Sequence, residues 1–265
     1  MAISKRNYFY PFFSLIFFLI FGGLNSNLAI KAIAKEVSGT FPTDVLLDGK
    51  KISLNYVGNL YRGGTPQAIL FHFHGDGGRK GYKGALDPLK KLSSKYKTHV
   101  FAVQAPSFSW QKGFDGMGGK HVYPKAQAFN FFKDYVVEKH HAKNAKLIFS
   151  GISGGANYVG GHFIPIYGKG FQGGMILLCG GATTAMFGAN GQAIFHTTPA
   201  FAKGFRVYQY IVTGDHLFQY ANAMKRDYSA LGAKVNAIWP KGNGHCAFPI
   251  YKKLEEGLDW ILSSF

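Results

Sequence analysis

The sequence predicts an α/β fold: a mostly parallel central sheet flanked by helices. Three observations predict it. Seven short β-rich runs alternate with helical stretches from about residue 52 onward. Several runs (AILFHF, LIFSGI, MILLC) are almost continuously apolar, as strands covered on both faces must be. The stretches between them carry one apolar stripe each, the pattern of a helix laid on a sheet.

The predicted strands are 52–57, 68–74, 99–105, 146–152, 174–179, 205–213 and 234–239. A helix is expected after His121, where Val122, Ala126, Phe129, Phe132 and Val136 recur at three- and four-residue spacing. Leu217, Ala221, Met224, Tyr228 and Leu231 predict a second. Tyr251, Leu254, Leu258, Ile261 and Phe265 predict a third. Strand–helix alternation at this period implies right-handed crossovers. No internal repeat or low-complexity linker interrupts it, so residues 35–265 are expected to form one domain.

The first 34 residues stand apart. Lys5 and Arg6 precede an apolar run from Tyr8 to Leu24, and Ala32 and Ala34 are small residues suited to cleavage. This is the pattern of a secretory signal peptide; an uncleaved N-terminal anchor is the alternative. The run is shorter than the roughly 20 residues that span hydrocarbon, and Pro11 and Gly22-Gly23 interrupt it. Both readings place the domain outside the cytoplasm, secreted or periplasmic, with membrane contact only through this segment.

Composition narrows the function classes. Hydrophobic residues make up 47% of the 265, enough for a large core and too many for a disordered chain. The net charge is +17, and +14 after residue 34. No dense Lys/Arg stripe of the kind that follows a phosphate backbone is present, so no nucleic-acid partner is expected. Two cysteines cannot build a disulfide scaffold or a cysteine zinc site. A bridge between Cys179 and Cys246 would brace the loop around His245; two small buried apolar residues are the alternative.

Chemistry concentrates in Gly151-Ile152-Ser153-Gly154-Gly155, a G-x-S-x-G run between a strand and a segment that can be helical. A strand-to-helix turn this sharp crowds the positions two before and two after the serine, and lifts its Oγ clear of the sheet. A serine nucleophile needs a base, and the base an orienting acid. Between Ser153 and His245 the only acids are Asp215 and Asp227, and Asp227 lies within a helical stretch. Asp215 directly follows a strand, at the edge where a parallel sheet presents its functional residues. After Asp215 only His216 and His245 remain. His216 is expected to point elsewhere, and His245 sits in a Gly-Asn-Gly-His turn. The expected set is Ser153, Asp215 and His245.

His74-Gly75-Asp76-Gly77-Gly78 follows another strand. It is similar to the loop that supplies backbone N–H donors to the oxyanion in lipases and esterases. With GISGG, the TGD turn and the GNGH turn, the sequence resembles the α/β-hydrolase superfamily from about Lys51 to Phe265. The resemblance implies a serine hydrolase acting on esters through an acyl-enzyme, without a cofactor or metal, on a small-molecule or polymer-bound substrate. It implies an oxyanion hole of the Asp76, Gly77 and Gly154 amides. Asp76 departs from the pattern, because a carboxylate beside the oxyanion opposes catalysis unless its side chain is directed away.

Substrate walls are expected from residues 106–120 and 180–204, with Phe108, Trp110 and Phe187 lining the cleft. The second loop has 25 residues, too few for a large lid domain. Packing of Trp110 and Phe108 onto the core is the competing reading.

Other motifs fail their context. His72-Phe73-His74-Gly75-Asp76 reads as H-x-H-x-D, a zinc pattern lacking the histidine after the aspartate. Gly168-Lys169-Gly170-Phe171-Gln172-Gly173 precedes a strand rather than following one, so it is no dinucleotide fingerprint. Two functions compete with an esterase. One is a catalytically silent hydrolase-fold protein that binds anionic envelope polymers; the other is a serine peptidase.

Overall fold

The structure is a computed structural model. It describes residues 34–76, 81–106, 109–110, 122–181 and 204–263. The expected signal segment, Gly77, Phe108 and Phe187 lie outside the described residues. Those described belong to one compact unit.

Eight strands form one sheet: β1 (Lys35–Leu47), β2 (Lys50–Leu60), β3 (Ala68–Phe73), β4 (Thr98–Val103), β5 (Lys146–Ile152), β6 (Gly173–Leu178), β7 (Arg206–Tyr210) and β8 (Lys234–Ile238). Their spatial order is β1-β2-β4-β3-β5-β6-β7-β8. Pairing is antiparallel for β1–β2 and β2–β4 and parallel for every later pair. The seven predicted strands are all present. β1 was not anticipated, because most of its residues are exposed and give no apolar run. The turn that creates it was visible: Asp48-Gly49 takes φ of 51° and 75°, the left-handed pair of a tight hairpin.

Helices α1 (Gly81–Gly84) and α2 (Leu86–Lys95) precede β4, and α3 (Val122–Lys139) precedes β5. After β5 come α4 (Gly154–Tyr158), a π-helical turn (Val159–Phe163) and α5 (Ile164–Tyr167). Pro165 has no N–H to donate back to Gly161, which suits a wide turn there. α6 (Phe218–Ala230) and α7 (Ile250–Leu262) complete the fold. The core of each predicted stripe is buried: Ala126, Phe129, Phe132 and Val136 of α3, Ala221, Met224 and Tyr228 of α6, and Leu254, Leu258 and Ile261 of α7; Phe265 and the Val122 side chain lie outside the description.

Successive strand residues point to opposite faces, and this divides the core. Phe71, Phe73, Phe101 and Phe149 face α3 and the helices after β5. Leu70, Val100, Ile148 and Ile176 face α2 and α7. Burying such a side chain contributes about 1.5–3 kcal/mol. The two layers therefore hold the sheet rigid, with the strand ends as a fixed rim. Among the described residues, no helix is long and apolar enough to cross a membrane.

Candidate active site

Ser153 follows the last residue of β5 and takes φ 50°, ψ −117°, a conformation that a residue with a Cβ rarely adopts. The flanking glycines permit it. A Cβ on Gly151 would stand 2.4 Å from the Ala156 amide nitrogen, and one on Gly155 2.4 Å from the Phe73 carbonyl oxygen. Both would meet backbone, which cannot give way. The turn therefore requires glycine two before and two after the serine.

Asp215 and His245 arrive on loops extending β7 and β8. The Gly214 amide donates to the Gly242 carbonyl at 2.8 Å, continuing the sheet pairing beyond the strands. The Asp215 side chain is fully buried and accepts from the amides of Leu217 (2.9 Å) and Cys246 (3.3 Å). Its carboxylate lies 2.9 and 3.0 Å from His245 Nδ1. His245 Nε2 lies 2.8 Å from Ser153 Oγ. The structure thus brings the three expected residues into one hydrogen-bonded run at the C-terminal rim of the sheet.

His216 does not point elsewhere. Its exposed ring centres 4.6 Å from that of His245, and its Nδ1 is 3.5 Å from Asp215 Oδ1. The tight Thr213-Gly214-Asp215 turn keeps the next residue on the same side as the acid.

The loop after β3 lies against the Ser153 turn. A Cβ on Gly75 would be 3.5 Å from Ser153 Cβ, and one on Gly154 would be 2.2 Å from Asp76 Oδ2. Gly154 opens α4, so its N–H has no acceptor within the helix. The Asp76 N–H shares its peptide unit with the Gly75 carbonyl, which is 2.6 Å from His74 Nδ1. The Ala105 amide donates to His74 Nε2 at 3.0 Å, so the ring proton is on Nδ1 and is given to Gly75. Burial holds the His74 pKa below its usual value and keeps this neutral tautomer in place.

The Asp76 carboxylate is committed to the neighbouring loop: Oδ1 accepts from Ser109 Oγ at 2.8 Å and from the Trp110 amide at 3.0 Å. The Lys125 ammonium, buried in α3, donates to the Ser109 carbonyl at 2.8 Å. Trp110 itself corrects an expectation. Its ring is fully buried, 4.9 Å from Phe73 and 4.7 Å from Tyr158, so it packs the core and does not line the cleft. The apolar floor under β3 was the stronger attraction for an indole.

The zinc pattern is not assembled. His74 uses both ring nitrogens on backbone, and His72 Nδ1 is 2.8 Å from Ser150 Oγ. Cys179 and Cys246 form a disulfide with a Cα–Cα separation of 5.1 Å, so their sulfurs are bonded to each other.

No protein-family model matches the sequence, and none of the curated proteins matches it. Solved structures do match. A thermostable esterase superposes with a TM-score of 0.64 at 14% identity, over 86% of this chain and 62% of that one. A ferulic acid esterase gives 0.62 at 12% identity, over 88% of this chain and 99% of that one. A carboxylesterase from Mesorhizobium loti gives 0.58 at 19% identity, over 77% and 94%. The fold is that of the α/β-hydrolases. In the hydrolase fold seen here, the strand order reverses around β3, and Ser153 and the His74–Asp76 loop stand at the strand ends beside that reversal. This chain spans less than two thirds of the thermostable esterase.

Proposed function

We propose that this protein is an exported serine hydrolase that cleaves carboxylic esters through an acyl-enzyme. The observation that carries the reading is the unbroken run Asp215–His245–Ser153, with separations of 2.9 and 2.8 Å. The Ser153 oxygen attacks the acyl carbon as its proton passes to His245 Nε2. The buried Asp215 carboxylate keeps Nδ1–H oriented and balances the imidazolium charge.

The tetrahedral oxyanion takes hydrogen bonds from the amides of Gly154 and Asp76. Each such donor is worth about 3 kcal/mol in the transition state. The imidazolium then gives its proton to the leaving alcohol, and the acyl group remains on Ser153. Water activated by His245 releases the acid by the same steps. Esterases among the structural neighbours favour an ester over an amide bond. The disulfide favours a compartment outside the reducing cytoplasm.

The test is hydrolysis of p-nitrophenyl acetate and butyrate by the wild type and Ser153→Ala. The wild type should turn both over. The variant should lose about 10⁴-fold or more in kcat while keeping its fold. An active Ser153→Ala protein would end the proposal.

A further inference from the structure

The Cys179–Cys246 disulfide stands inside the candidate site. Cys246 is the next residue after His245, and its sulfur is 3.6 Å from His245 Nε2, the atom facing Ser153. Cys179 follows the last residue of β6, and the Leu178 carbonyl just before it accepts the Ser153 amide at 2.9 Å. These links close a ring. From Ser153 it runs through Leu178 and Cys179, across the disulfide to Cys246 and His245, and back to Ser153 Oγ at 2.8 Å. The hydrogen bond that would move the proton is therefore one edge of a cycle whose only covalent crossing is the S–S bond.

Both cysteines are held in an unfavourable backbone conformation, with φ of 44° at Cys179 and 54° at Cys246. For residues with a Cβ this region is costly and persists only where the surroundings enforce it. Cutting the bridge leaves Cys246 held only by hydrogen bonds, the longer of them its amide to Asp215 at 3.3 Å, and a change of φ there re-aims the adjoining His245. The sheet does not depend on the bridge. The Cys179 amide donates to the Tyr210 carbonyl, and Gly214 pairs with Gly242, through backbone alone.

We propose that this disulfide positions His245 together with Asp215, so that the hydrolase is fully active when oxidised and strongly slowed, though folded, when reduced. The inference rests on the serine-hydrolase reading above. Closing the bridge removes two electrons and two protons from the thiols. The oxidant is a disulfide donor, either oxidised glutathione or an oxidised dithiol protein. The half-buried Cys246 thiolate attacks the donor disulfide and expels one donor sulfur as a thiolate. The Cys179 thiolate then displaces the second donor sulfur from Cys246, which leaves the donor as two thiols. A chain synthesised in a reducing compartment works at the lower rate until it reaches an oxidising one.

The experiment compares the full chain oxidised, reduced with dithiothreitol, and reoxidised with oxidised glutathione, with free thiols counted in each state. Reduction should lower kcat on p-nitrophenyl acetate roughly 10- to 100-fold, the scale of a misplaced catalytic group, with KM within about threefold. Far-UV circular dichroism should stay unchanged, and oxidised glutathione should restore the rate. The double variant Cys179→Ser/Cys246→Ser should sit at the reduced rate and respond to neither reagent.

A reduced protein with two free thiols and an undiminished kcat overturns the proposal. So does a loss of kcat that tracks a loss of circular dichroism, since the bridge then only supports the fold. If the oxidised protein neither turns over esters nor reacts with a fluorophosphonate, the hydrolase reading fails by itself. The positioning claim is then read from the downfield Nδ1–H proton signal of His245. Loss of that signal on reduction supports the claim, and an unchanged signal refutes it.

Discussion

The two sides of Ser153 are held in place by different means. On the β3 side, the loop His74–Asp76 is fixed without a covalent crosslink, by hydrogen bonds from Ala105 to His74, His74 to Gly75, and Ser109 and Trp110 to Asp76. On the β8 side, the His245 loop is joined to β6 by a covalent bond. The difference follows from what each side has to do. Amide donors act by standing still, and a lattice in which each acceptor is shared among neighbouring loops holds them so, although Asp76 itself is exposed. His245 is partly exposed, on a loop of glycines and prolines between β8 and α7. Few buried contacts hold such a loop, so a tether replaces them.

Acid is predicted to weaken the whole fold, whereas reductant acts on the His245 side alone. Burial lowers His72 and His162 to about 3 and His99 to about 4, and it also lowers His74 and His140. The unfolded chain takes up these protons below about pH 6.5, whereas the folded chain refuses them until about pH 3 to 4. Stability is therefore full above about pH 6.5 and declines as the pH falls towards 3. Each group held near 3 should cost on the order of 2 kcal/mol between pH 7 and pH 5. Urea midpoints at the two pH values check this; equal midpoints would contradict it.

A smaller effect sharpens the contrast within the β3 side. Asp76→Ala removes the acceptor of Ser109 and Trp110, and should lower kcat about tenfold, the worth of one or two hydrogen bonds. Asp76→Asn keeps an oxygen at the same place and should stay within about threefold of wild type. Steady-state kinetics on p-nitrophenyl acetate separates them. Equal losses in both variants would mean that the charge, not the acceptor, is what the loop uses.

Much of this was legible in the sequence. Of the seven anticipated strands, β3, β4, β5 and β6 are covered on both faces, and double burial imposes an apolar run. β1 escaped because its side chains are largely solvated, and only the Asp48-Gly49 turn betrayed it. Ser153, Asp215 and His245 could be paired by elimination, because few acids and histidines lie between the right elements. Trp110 could not be placed, since an aromatic residue in a loop reads the same whether it packs inward or lines a cleft. Nor could the Asp76 carboxylate, whose partners Ser109 and Trp110 are more than thirty residues away.

The most direct measurement is the intact mass and peptide map of the full chain after reaction with a fluorophosphonate. A single adduct on Ser153, absent in Ser153→Ala and strongly slowed in His245→Ala, is the result that a working Asp215–His245–Ser153 relay requires. An unmodified Ser153 in the oxidised, folded protein, or labelling that ignores the loss of His245, would contradict it.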